Sequence, residues 1–103
     1  MTDPTHPLRK LVTVITETSL ERDLTRELEA HGVRGYTITD ARGRGEHGSR
    51  SSSWGHSGNI RVEIICDAPL AESLMQRLRA KYCQHYAMVL FAHDVEVLRP
   101  DKF

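Results

Sequence analysis

The residues with the greatest capacity for chemistry crowd into one stretch. Positions 40–59, DARGRGEHGSRSSSWGHSGN, hold three arginines and five glycines. Arg42, Arg44 and Arg50 offer guanidinium forks that match planar or tetrahedral anions. Gly43 and Gly45 can take positive φ, which lets consecutive backbone N–H groups converge on one point. Ser49, Ser51, Ser52 and Ser53 add hydroxyls. Such donors suit an anion, above all a phosphate; the alternative is a solvated Gly/Ser linker with scattered charge. Trp54, the only tryptophan, stands among serines and glycines where no core is expected. It either docks on a partner or folds back on the domain's own surface.

Elsewhere the chemical inventory is thin. His47, His56, His85 and His93 match no recognised ligand spacing, so no metal site is expected. Cys66 and Cys83 read as reduced thiols that pack as small apolar residues. Neither a Ser/His/Asp nor a Cys/His arrangement can be assembled. Lys plus Arg equals Asp plus Glu, at 14 each, so no global field attracts nucleic acid or an anionic membrane. The lead-in MTDPTHPLRK lacks the apolar core of a secretion signal, and no apolar run is long enough for a bilayer. A cytoplasmic location is expected.

The elements that must position the donors follow from periodicity. LRKLVTVIT (8–16) is dense in β-branched residues and predicts a strand. Thr18 and Glu21 have capping-box spacing at a helix start. Leu20, Leu24 and Leu28 recur on one helical face, and Gly32 stands where a C-cap wants positive φ. RGYTITD (34–40) alternates as a second strand, and NIRVEIIC (59–66), with Ile60, Val62 and Ile64 on one side, as a third. Asp67 can cap a second helix with Pro69 in its first turn; Leu70, Leu74, Leu78 and Tyr82 mark its buried stripe. YAMVLFA (86–92) predicts a fourth strand and DVEVL a short fifth.

This order is βαββαβ, an α+β ferredoxin-like arrangement: a four-stranded antiparallel sheet with two helices on one face. The whole chain, 1–103, reads as a single domain with a flexible lead-in at 1–7. The helix-free face carries the off-phase residues, including Thr37, Thr39 and Ile65, and is best covered by a partner chain, so a homo-oligomer is expected. Strands two and three should be hairpin neighbours, yet the segment 41–58 separates them. Hairpin loops usually have about two to five residues, and those beyond about 12–15 are mostly functional or disordered.

With Gly35-Tyr36-Thr37-Ile38-Thr39-Asp40 and Gly43-Arg44-Gly45 in place, the chain resembles the PII-type signalling proteins, whose long T-loop joins strands two and three. Within them it resembles the PII-like branch linked to inorganic-carbon uptake, which includes SbtB and the carboxysome-associated PII proteins. Arg50-Ser51, Tyr86-Ala87 and Glu96-Val97-Leu98 carry that likeness, which spans about residues 8–99. The resemblance implies a cytoplasmic homotrimer that binds ADP or AMP in intersubunit clefts, responds to bicarbonate and docks through the T-loop (41–58) on a bicarbonate transporter or another membrane transport protein. At the membrane it would be peripheral, held by that partner.

The implied nucleotide-binding residues are Thr37 at the adenine or ribose end, and Gly43, Arg44 and Gly45 along the phosphates. Arg50 and Ser51 reach in from the loop, and Met88 and Val89 come from the neighbouring subunit. Trp54 is the candidate docking residue. Three departures limit the transfer. No tyrosine occurs in 41–58, which removes the uridylylation switch of classical members. Glu46 replaces a basic residue after G-x-G, which disfavours triphosphate binding. RPDKF lacks the cysteine-bearing tail of SbtB, so its redox function and nucleotide hydrolysis are not carried over. The resemblance implies a sensor, not an enzyme. The rivals on this fold are an acylphosphatase using Arg50 and Asn59, a module for another anion, and an RNA-binding module, which the absence of aromatics in NIRVEIIC argues against.

Overall fold

β1 (Leu8–Glu17) is the longest strand and organises the rest. A computed structural model describes residues 7–45, 48–49 and 58–103. After β1 a 3-10 turn (Thr18–Leu20) leads into α1 (Glu21–Ala30). β2 (Thr37–Ala41) follows, then two-residue strands β3 (Arg44–Gly45) and β4 (Gly48–Ser49). β5 (Asn59–Cys66), α2 (Ala68–Tyr82), β6 (Val89–Glu96) and a 3-10 turn (Pro100–Lys102) complete the described chain. Among the described residues no helix is long and apolar enough to cross a membrane.

β2, β5, β1 and β6 form one sheet in that order, every pair antiparallel. Together with both helices on one face this is the ferredoxin-like fold that the element order predicts. Alternation explains the layering: Val12 and Val14 pair with Ile64 and Val62 and are buried with Ile60 beneath Leu24, Leu28, Leu74 and Leu78. Ile38, Leu90 and Ala92 pack partly buried against the same cluster. β3 and β4 pair only with each other, Arg44 opposite Ser49 and Gly45 opposite Gly48.

Helix ends follow local chemistry with one exception. Gly32 takes φ 79°. Its N–H donates to Glu29 O at 3.1 Å and that of Val33 to Leu28 O at 3.0 Å, a Schellman closure. Asp67 caps α2 by accepting from Leu70 N at 2.9 Å, with Pro69 in the first turn. The Thr18–Glu21 capping box does not form. The 3-10 turn separates the two residues, and Thr18 N–H instead donates to Gly58 O at 3.0 Å, tying the end of β1 to the approach of β5.

Two strand boundaries also differ from expectation. β2 begins at Thr37, leaving Arg34–Tyr36 outside it. The last strand runs 89–96, not 86–92, and absorbs the front of the expected fifth strand. The cause is the length of β1: Leu8, Arg9 and Lys10 need partners and find them in Glu96, Val95 and Asp94. Lys10 Nζ lies 2.7 Å from Asp94 Oδ1. Upstream, Tyr86 N–H donates to Tyr82 O at 3.0 Å and Thr16 Oγ1 to Ala87 O at 2.9 Å, which holds those residues in the turn.

The helix-free face carries Leu11, Thr13 and Ile15 on β1, Arg61, Glu63 and Ile65 on β5, and Val89 and Phe91 on β6, by the pairing register. Phe91 and Val89 are each 39% exposed. Thr13 lies in the middle of this face, fully buried, and its hydroxyl has no hydrogen-bond partner.

Candidate functional site

Thr37 opens β2, an edge strand, and faces Glu63 across the ladder. A cleft of about 350 Å³ lies here. Its floor is the cross-strand pair Leu11 and Ile65. Gly35, Tyr36, Thr37, Glu63 and Phe103 complete its lining. The volume falls at the low end of the range for small-molecule sites, about 300–1,000 Å³. The lining combines an apolar floor, two aromatic rings, a hydroxyl and a carboxylate. Glu63 Oε2 lies 3.6 Å from Arg61 Nη2 on the same strand face.

From the cleft, β2 runs to Ala41, and Arg42, Gly43 and Arg44 continue as exposed chain into the β3–β4 ribbon. Thr37, Gly43, Arg44 and Gly45 are thus placed along one stem. Arg50, Ser51 and Trp54 lie outside the described residues, as do His47 and His56.

Met88 and Val89 are elsewhere. β6 is the opposite edge of the sheet from β2. Val89 pairs with Ile15, Ile15 with Arg61 and Arg61 with Thr39, so Val89 and Thr39 are three strands apart. At about 4.8 Å per strand that separation is roughly 14 Å. Met88 precedes the strand and packs against the helix-side core. It lines a second cleft, of about 390 Å³, with Met75, Arg79, Cys83 and Leu90. Within one chain, the six described residues among the eight singled out from the sequence do not converge.

Leu11, Glu63, Ile65 and Phe103 are the cleft residues that the motif pattern missed. Leu11 and Ile65 read simply as strand residues, although the off-phase position of Ile65 was a usable signal. Glu63 was not singled out within the strand NIRVEIIC. Nothing local marks Phe103, which arrives from the far edge.

Between the helices, Glu27 is buried and holds an ion cluster. Its carboxylate accepts from Lys81 Nζ at 2.7 Å, and from Arg77 Nη2 at 3.3 Å and Nε at 3.4 Å. The Lys81 hydrogen bond, then that of Arg77, holds Glu27 below the usual carboxylate range against the opposing effect of burial. Among the described residues no three His, Cys, Asp or Glu side chains gather as metal ligands.

Comparison with known proteins bears on this geometry. The model of the family "Nitrogen regulatory protein P-II" matches residues 9–102. A PII-like signalling protein from Thermus thermophilus is 41% identical, with TM-score 0.81 over 95% of this chain and 97% of that one. CPII from Thiomonas intermedia, solved with ADP and bicarbonate, is 27% identical, with TM-score 0.84 over 95% and 96%. A further structure of CPII, with ADP, AMP and bicarbonate, is 26% identical and has TM-score 0.85 over 95% of each chain. The Thermus protein is a signalling protein and CPII a nitrogen-regulatory one. The family match runs from the second residue of β1 to the last turn: the chain belongs to the P-II family.

Proposed function

We propose that the chain is a homotrimeric sensor that binds ADP or AMP between subunits and reports occupancy through the loop at 41–58. The observation that carries this reading is the split of the candidate residues between two opposite sheet edges. A nucleotide that touches both Thr37 and Val89 must sit where the β2 edge of one copy meets the β6 edge of the next. A head-to-tail contact of that kind closes into a ring when the rotation allows. The helix-free face supports it: Leu11, Ile15, Ile65, Val89 and Phe91 form an apolar surface that a second copy would cover.

In this arrangement the base lies in the cleft beside Thr37. The phosphates run toward Gly43, Arg44 and Gly45, joined by Arg50 and Ser51. CPII holds ADP, AMP and bicarbonate, and the same ligands suit this donor set. Bicarbonate is a small planar anion that can share guanidinium donors with a phosphate. If each ligand orders the same loop, their affinities are coupled. Trp54 then gives the loop a residue for docking on a bicarbonate transporter or another membrane transport protein. The protein itself stays cytoplasmic and reaches the membrane only through that partner.

Light scattering and calorimetry test this. A trimer is expected, with ADP bound more tightly when bicarbonate is present. Arg50→Ala should weaken ADP about tenfold, the loss of one charge-assisted phosphate contact. A species of one chain that binds no adenylate would overturn the proposal.

A further inference from the structure

The segment after β6 leaves one edge of the sheet and ends at the other. Val97 is buried and its N–H donates to Pro7 O at 3.2 Å. Arg9 Nη2 donates to Pro100 O at 3.3 Å, and Arg34 Nη1 to Asp101 O at 2.6 Å. The final turn is closed by Phe103 N–H donating to Pro100 O at 3.1 Å. These contacts from β1, from the α1–β2 connection and within the turn hold the backbone of segment 97–103 beside the cleft that Phe103 lines.

That place is the boundary between two clefts. On one side is the 350 Å³ cleft of Thr37. On the other is a smaller cleft of about 150 Å³, lined by Gly32, Arg34, Cys66, Asp67 and Leu70. Phe103 and Ile65 line both clefts. With the ring in position, the larger cleft remains open, so Phe103 acts as a wall and not as a plug. Phe103 and Tyr36, both lining this cleft, are 37% and 39% exposed. Two part-exposed aromatic rings at one cleft form a surface on which a flat heteroaromatic ring gains by stacking.

We infer that Phe103 is a base-contacting residue of the nucleotide site, supplied by the same chain that supplies Thr37, and that it favours purines over pyrimidines. The inference rests on the nucleotide reading above and adds to it a specificity determinant far from the G-x-G stem. Stacking has a π-face to work with in every base, but its strength grows with the ring area covered. Removing Phe103 therefore weakens a purine nucleotide more than a pyrimidine one.

The test compares ADP and CDP on the full chain by calorimetry. Phe103→Ala should lower ADP affinity about tenfold, the loss of one stacked base, and narrow the ADP/CDP preference. Phe103→Trp should restore both. In a Trp54→Phe background, the Phe103→Trp indole should be quenched when ADP binds. Equal ADP affinity in wild type and Phe103→Ala overturns the assignment alone, as does tighter binding, which would make the ring a plug. An unquenched indole at saturating ADP also overturns it. Wild type that binds no adenylate overturns the nucleotide reading itself.

Discussion

Thr39 and Val89 occupy one row of the sheet at its two opposite edges, connected through Arg61 and Ile15. The neighbouring row joins Thr37 to Phe91 through Glu63 and Thr13. Both rows lie on the face that no helix covers. Two of the candidate ligand residues, Thr37 and Val89, therefore share a surface with the uncovered apolar residues. Assembly and ligand binding, in the function proposed above, draw on a single set of side chains.

Phe91→Glu tests that coupling. A carboxylate set into the helix-free face should leave the fold intact, because Phe91 does not enter the core. It should prevent copies from covering one another, since an unpaired buried charge is costly. Light scattering should give the mass of a single chain, and the ADP-induced rise in melting temperature should vanish. A variant that remains oligomeric and responds to ADP would remove this face from the assembly.

Glu27 makes stability depend on pH. Its folded carboxyl is held below the usual carboxylate range by Lys81 and Arg77. The stabilisation is thus fully present above the unfolded carboxylate pKa and is lost as pH falls through the lower folded value. Glu27→Gln should cost about 1–2 kcal/mol near neutral pH, the scale of a charged hydrogen bond. Melting curves of the two proteins should converge as pH falls through that lowered value. A gap that persists in acid would assign the effect to packing.

Gly32→Ala isolates backbone strain. An added Cβ would meet nothing within 4 Å, yet φ is 79°. Left-handed geometry alone should then cost about 1 kcal/mol. For a domain of this size, that corresponds to a fall of about 4–8 °C in melting temperature. No fall would mean that the Schellman turn relaxes.

The two thiols should react at different rates. Cys66 is buried, and burial, with Asp67 beside it, pushes its pKa up. Cys83 is half-buried at the cleft with Met75 and Met88. Mass spectrometry after mild alkylation should find Cys83 modified first and Cys66 protected until unfolding. The reverse order would contradict the packing of β5.

Whatever depends on periodicity or on one local cap could be read in advance. Ile60, Val62 and Ile64 declared themselves by alternation, the strand at 8–16 by its β-branched residues, Leu24 and Leu28 by helical spacing, Gly32 and Asp67 by their place at helix ends. The failures are long-range. Thr18 lost its capping role because Gly58, forty residues on, offered a carbonyl to its N–H. β6 shifted because β1 extends to Leu8 and draws partners from Asp94–Glu96. Phe103 needed the whole crossing of segment 97–103 to reach Thr37, which no window of sequence displays.

Ala41 and Asn59 are paired partners on β2 and β5. Chain leaves and re-enters the domain at two adjacent posts, about 5 Å apart. Whatever is inserted, deleted or rewritten between them leaves the frame undisturbed, and doubling the length would add only about 0.6 kcal/mol of closure entropy. In the function proposed above, the target can therefore diverge by exchange of this one excursion, while the end of the ligand site at Thr37 stays in the sheet.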